Sequence, residues 1–170
     1  MVIDGPSFGA RFGLCFPRTD GPSSHVRTIC RPNLRSAGLD TSWTKLDPFV
    51  GWRRRYNVKP TQDALTMAKD GRPALARCWL IPSWHKGDLK EWNAATLNAR
   101  IEDAASKPSF RGAWRAGRCL IPAGGYYDWT GEAGAKLPHI ILPAGSDETM
   151  WFAGLFSRWR NIATCTIVNG

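Results

Sequence analysis

The chain has 170 residues, 43% of them apolar and 22% charged, which is enough for one globular domain with its own core and too few for two ordinary domains. Its 23 Lys and Arg against 14 Asp and Glu give a formal charge of +9, so the expected large partner is an anion, nucleic acid first. Nine Trp beside 12 Pro and 17 Gly argue against disorder and against a simple helical bundle, and no stretch approaches the roughly 20 apolar residues a membrane helix needs.

The opening Met1-Val2-Ile3-Asp4-Gly5-Pro6 has neither a basic n-region nor an apolar h-region, so secretion is not indicated and the cytoplasm is the expected compartment. From Ser23 through Leu39 no period is sustained, and loop or poor order is expected. The character changes near residue 47, dividing the chain into a leader, 1–46, and a domain, 47–170. Beyond that point short strands bounded by Pro and Gly are predicted. Leu75 to Ile81 ends at Pro82, and Arg118 to Ile121 ends at Pro122. Glu91 to Ala105 is the best helical candidate, and Phe110 to Arg115, started by Ser109, is a shorter one. Gly125 to Trp129 precedes the turn signals Gly131 and Gly134, and His139 to Leu142 is closed by Pro143. Trp151 to Phe156 and Ala163 to Val168 read as two more strands, joined by a polar turn around Arg158 to Asn161. The pattern is α+β, mainly antiparallel strands with a few short helices.

Five cysteines, at 15, 30, 78, 119 and 165, form no close pair, so neither a zinc site nor a disulfide framework is indicated. Cys78, Cys119 and Cys165 each lie in an apolar, strand-like run, where a reduced thiol acts as a small hydrophobe.

Three segments carry more than composition. Arg53-Arg54-Arg55-Tyr56-Asn57-Val58-Lys59-Pro60 sets four cations beside a ring in an extended pre-proline stretch, either a phosphate-binding run or a solvated basic loop. Asn98-Ala99-Arg100-Ile101-Glu102, read as helix, puts Asn98 and Glu102 on one face and Arg100 off it. Asp128 lies between Tyr127 and Trp129, and strand alternation puts it on the face of Tyr126. It is there either a general acid or base in a tight site or a polar position on a two-faced strand.

Taken in order, Arg55-Tyr56-Asn57-Val58-Lys59-Pro60, Trp79-Leu80-Ile81-Pro82-Ser83-Trp84, Asn98-Ala99-Arg100-Ile101-Glu102, Lys107-Pro108-Ser109-Phe110-Arg111, Arg118-Cys119-Leu120-Ile121-Pro122-Ala123-Gly124-Gly125-Tyr126-Tyr127-Asp128-Trp129, Phe152-Ala153-Gly154-Leu155 and Cys165-Thr166-Ile167-Val168 resemble the SRAP domain. This is the family of SOS response-associated peptidases, described as abasic-site processing proteins, and the resemblance covers roughly 47–170. It implies a barrel-like fold of antiparallel strands, incomplete at its C-terminal end here, and a basic groove for single-stranded DNA with abasic sites. No cofactor, metal, membrane or obligate protein partner is implied. The family captures the lesion through a cysteine that becomes the first residue. An α-amine with a pKa near 8 is roughly a tenth neutral at pH 7, against a few parts in ten thousand for Lys, so the terminal amine forms the imine with the sugar aldehyde. The neighbouring thiolate then closes a thiazolidine.

Residue by residue, Asn98 matches the family asparagine and Arg100 an arginine on DNA phosphate, with Arg53, Arg54, Arg55, Asn57 and Pro60 along the DNA path. Asp128 stands where the family has Glu, which keeps the charge and shortens the reach by about 1.5 Å. Trp79 and Trp129 match tryptophans near the DNA, although a core role fits either equally well. Two departures bear on the chemistry. The chain reads Met1-Val2-Ile3 where the family reads Met-Cys-Gly-Arg-Phe, and stops at Gly170 ahead of the family's His-x-Arg-Met-Pro. The expectation is therefore single-strand affinity with little or no thiazolidine, the alternative being a DNA-binding remnant without catalysis, and an open sheet edge along Ala163 to Val168. No Ser-His-Asp or Cys-His constellation supports proteolysis of other proteins.

Overall fold

A computed structural model describes residues 29–30, 55–132, 135–144 and 149–169. The boundary expected near residue 47, and Arg53 and Arg54 with it, lie outside the described residues. Among the described residues, alternation of apolar and polar residues and Gly or Pro punctuation give nine strands and two short helices. β2 (Asp63–Met67) and β3 (Pro73–Cys78) form a hairpin whose turn requires a left-handed residue, supplied by Gly71 at φ 77. β5 (Arg118–Ala123) runs on through Pro122 because it meets β2 only at Met67↔Leu120, leaving the proline clear of that partner. β8 (Met150–Trp159) and β9 (Ile162–Asn169) form the longest hairpin, turned by Arg160 at φ 51. That strained residue is held by its own guanidinium, which donates to the carbonyls of Lys86 and Gly87 and lies 4.8 Å over the Trp159 ring.

The strand order is β3-β2-β5-β8-β9-β4, where β4 is Asn98–Arg100. β3 also pairs in parallel with the first half of β9, at Arg77↔Thr164 and Cys78↔Cys165, so the sheet curls into a barrel-like form. A second sheet, β1-β6-β7, comprises β1 (Ile29–Cys30), β6 (Gly125–Thr130) and β7 (Leu137–Ile141). The inner face buries a central cluster that includes Ile29, Val58, Ile121, Phe152, Cys165 and Ile167. On the outer face Leu80, Ala99, Leu155 and Val168 pack under α1 (Ile101–Ala104) and α2 (Pro108–Ala116) through Ala104 and Phe110. This is the expected α+β, mainly antiparallel architecture.

Five expectations are corrected. Residues 91–105 are not one helix: a single 3-10 turn, Leu89–Glu91, is followed by loop, then β4, then one turn of α1. Parallel pairing of β4 with β9 and three side-chain hydrogen bonds to the preceding loop outweigh local helix propensity. Asn98 and Glu102 therefore do not share a helical face. The strand expected over residues 75–81 ends at Cys78, because Trp79 turns out of it at φ 118 to donate its backbone N–H to the Cys165 carbonyl. β9 is not left as an open edge: β8 pairs with it from Ile162 to Ile167 on one side, and on the other β3 pairs at Thr164 and Cys165 and β4 at Ile167 to Asn169. The second helix begins at Pro108 rather than after Ser109, its fixed φ suiting the first turn. Ile29–Cys30, in a stretch where no strand was predicted, pairs with β6.

Candidate nucleic-acid interface

β4 is short and would not hold its position by its own ladder. The loop ahead of it is pinned first: Thr96 Oγ1 donates to the Leu80 carbonyl at 2.6 Å, and Trp92 Nε1 donates to the same carbonyl at 3.1 Å. Trp79 Nε1 donates to Ala94 O at 2.9 Å, and Thr166 Oγ1 to Leu97 O at 2.6 Å. Asn98 then falls opposite Ile167 and Arg100 opposite Asn169. Alternation along β4 sends Ala99 into the outer cluster and leaves Asn98 and Arg100 on the other face, the one whose β9 neighbour Ile167 enters the central cluster. Asn98 Oδ1 is buried without a hydrogen-bond partner among the described residues, and so are both amide atoms of Asn169, a residue only 1% exposed. A buried amide atom left unpaired costs roughly 1–3 kcal/mol, so these atoms on adjacent strands are candidates for polar contacts from outside the described residues. Arg100 itself is exposed.

The remaining candidates come from the second sheet. Tyr126 packs edge-on to Phe152 at 5.6 Å, anchoring β6 to the central cluster. Asp128, two residues on and half-buried, lies on the same face, and its Oδ1 accepts the Trp129 N–H at 2.8 Å. Trp129 is 43% exposed on the opposite face. The segment 55–60 reaches this sheet through Ile29, which pairs with Tyr126 on one side and bridges to Val58 on the other. Arg55 and Asn57 are exposed there, Pro60 is half-buried, and Arg55 donates to Gln62 Oε1 at 3.4 Å. Two groups result: Asn98 and Arg100 on β4, and Arg55, Asn57, Asp128 and Trp129 around β6. Asn98 and Asp128 share faces with Ile167 and Tyr126, which belong to or pack against the central cluster, whereas Trp129 faces away from it. Trp79 belongs to neither, being half-buried with its indole N–H used in holding the 92–97 loop.

Sequence reasoning passed over Trp84. It is 55% exposed, and its indole N–H donates to the Pro108 carbonyl at 3.2 Å, fixing the ring at the start of α2. The neighbouring His85 ring lies between Trp92 and Trp159, at 5.0 and 5.8 Å. The Pro82-Ser83-Trp84 sequence was visible, but the exposure of its tryptophan depends on contacts with residues far along the chain. Among the described residues no cluster of three His, Cys, Asp or Glu side chains could hold a metal ion, and no helix is long and apolar enough to cross a membrane.

The family model described as SOS response associated peptidase (SRAP) matches residues 28–170. The chain belongs to the SRAP family. Abasic site processing protein YoqW of Bacillus subtilis is 36% identical over 122 residues, covering 66% of this chain and 53% of that protein. Abasic site processing protein HMCES of Gallus gallus is 31% identical over 103 residues, covering 49% of this chain and 31% of its own. A crystal structure of a protein from Bacteroides thetaiotaomicron superposes with a TM-score of 0.61 at 27% identity, covering 66% of this chain and 53% of that one. This SRAP chain thus spans about half the length of the Bacillus relative it matches.

Proposed function

We propose that this SRAP chain recognises abasic sites in single-stranded DNA, as part of an abasic site processing protein. The observation that carries the reading is the set of buried amide atoms without a partner among the described residues, Asn98 Oδ1 and both amide atoms of Asn169, beside the exposed Arg100, which lies two residues after Asn98 on β4 and opposite Asn169 in register. Buried amide acceptors and donors suit the hydroxyls of a ring-opened sugar, and a guanidinium beside them suits the flanking phosphate. A ring-opened abasic sugar, with no base in the way, can bring its hydroxyl and aldehyde oxygens up to these amides, whereas a base at C1′ fills that side of the sugar, and on this steric ground the arrangement favours the lesion over the intact strand. Asp128 is the group assigned to move the proton as the aldehyde reacts, Trp129 offers a ring for stacking, and Arg55, Asn57 and Pro60 border the strand's path. For the whole protein the reading extends to the covalent capture that the resemblance implies: an amine condenses with the aldehyde, water leaves, and a thiol adds to the imine carbon.

Fluorescence anisotropy with a labelled single strand, with and without one central abasic site, tests the recognition step. Asn98→Ala is expected to abolish the preference for the abasic strand while leaving intact-strand affinity within twofold. Arg100→Ala is expected to weaken both strands alike and to reduce the slope of log K against log salt by about 0.7. Equal affinity of the unmodified chain for abasic and intact strands sinks the reading.

A further inference from the structure

We infer that Cys78 and Cys165 form an oxidation site, a dithiol that a hydroperoxide converts to a disulfide across the seam between β3 and β9. The inference concerns a part of the sheet that the abasic-site reading does not use, and stands independently of it. The seam is only two residues wide, Arg77↔Thr164 and Cys78↔Cys165, and it runs parallel. Register partners on adjacent strands lie about 4.8 Å apart and send their side chains to one face. That separation falls inside the roughly 4.4–6.8 Å between Cα atoms that a disulfide spans. Both side chains meet the central cluster, Cys165 within it and Cys78 packed against it. The Cys165 thiol lies against β3, donating to the Ala76 carbonyl at 3.7 Å and hydrogen-bonded with the Cys78 sulfur. The backbone fixes both residues as well. Cys78 donates its N–H to the Gln62 carbonyl at 2.9 Å and accepts the Thr61 N–H at 2.7 Å, and the Cys165 carbonyl accepts the Trp79 N–H at 2.9 Å. The two sulfurs are therefore held together without rearrangement of the chain.

Two buried cysteines in contact would be ordinary core packing, and what points beyond it is the difference in their exposure. Cys165 is fully buried and Cys119 nearly so, whereas Cys78 is only half-buried and open to a small oxidant. One sulfur can react from solvent with a second held ready behind it, the arrangement of a reactive and a resolving thiol. The Cys78 sulfur attacks the hydroperoxide, the O–O bond breaks, and an alcohol or water leaves with the thiol proton, giving a sulfenic acid. The Cys165 sulfur then attacks Cys78, the S–O bond breaks, and water leaves with the second thiol proton as the S–S bond forms. Two electrons pass from the two sulfurs to the peroxide. Cys119 is less well placed to resolve the sulfenic acid, because it lies on β5, which β2 separates from β3 and β8 separates from β9. Reversal is slow in the folded chain. A reductant that reaches the Cys78 sulfur must expel the buried Cys165 sulfur, whose thiol is held well above the ordinary range and is a poor leaving group.

The site is tested by exposing the folded chain to hydrogen peroxide, removing the peroxide with catalase, alkylating the remaining thiols in denaturant and mapping peptides without reduction. The expected main product is a peptide pair joined through Cys78 and Cys165, lighter than the two thiol peptides by two hydrogens. Reduction of that bond by dithiothreitol is expected to run about tenfold or more faster once urea unfolds the chain. The oxidised chain is expected to show a higher urea midpoint and slower amide exchange over residues 77–79 and 163–166. Cys78→Ala is expected to leave Cys165 a thiol at the same peroxide dose, and Cys119→Ala to form the bond as the unmodified chain does. Cys78 driven to sulfinic acid beside an unreacted Cys165 overturns the inference. So do a main product joining either residue to Cys15, Cys30 or Cys119, and survival of both thiols. Equal reduction rates in the folded and unfolded chain overturn it too, since the bond would then lie outside the core. The peptide map is read on the unmodified chain, so its result holds even where a variant fails to fold.

Discussion

Gly154 shows how little room the centre of the barrel-like sheet leaves at a single residue. It lies on β8 opposite Cys119 and Ile167, and a Cβ there would sit 2.7 Å from Ile121 Cδ1 and 3.0 Å from Cys119 Sγ. Neither neighbour can swing away, because Ile121 is 1% exposed and Cys119 8%. Gly154→Ala is therefore expected to destabilise by about 1–3 kcal/mol, the usual cost of overpacking, read as a lower urea midpoint at unchanged m-value. Ile121→Val removes the methyl that the new Cβ meets first. The double variant should recover part of the loss, a coupling that a double-mutant cycle measures directly. Full additivity of the two changes would show that the clash relaxes through the backbone instead.

At the scale of elements, the segment from Trp92 to Arg100 shows what local sequence could and could not reveal. Strands such as β6 and β9 were legible because alternation and Gly or Pro boundaries are local signals, and α2 was legible to within two residues. β4 was not, because Ala94, Ala95, Leu97 and Ala99 favour helix locally and what overrides them comes from Leu80 and from β9. The candidate site suffered the same limit. Asn98 and Arg100 were found by resemblance, whereas their strand setting, and Asn169 as the neighbour of Arg100, depend on pairing with a strand about 69 positions later. Trp84 was missed because its exposure and anchoring come from Pro108. If loop bonds hold β4 in place, then Thr96→Val should loosen it. That change removes the hydroxyl that donates to Leu80 O and accepts from Trp92 Nε1 at 3.0 Å, leaving a part-buried indole N–H with one partner fewer. A loss of about 1–3 kcal/mol is expected, with faster amide exchange over residues 98–100 and no change over β6. Exchange that rises equally in both sheets would mean the bonds support the whole fold rather than this strand.

Across the whole molecule, three thiols from β3, β5 and β9 are brought into the central region, and their surroundings raise the titration of two of them, Cys119 and Cys165. The Cys119 thiol is pushed up to about 12 by burial. Cys165 is held well above the ordinary thiol range by its hydrogen bond with Cys78 and by burial, the two residues being register partners across β3 and β9. Cys78, Cys119 and Cys165 are all free. A folded-state pKa above the unfolded value, near 8.5, means the folded chain retains protons that the unfolded chain releases. The stability this contributes is complete below about pH 8.5 and is lost as pH rises from there through the folded value near 12. Up to about 1.4 kcal/mol per pH unit is expected from each such thiol, before lysines and tyrosines begin to titrate near 10. Urea midpoints between pH 8 and 9.5 should therefore fall for the unmodified chain and fall less steeply for Cys119→Ala, whatever that variant's stability at pH 7. Parallel pH profiles for the two proteins would show that the Cys119 thiol ionises as readily in the folded chain as in the unfolded one.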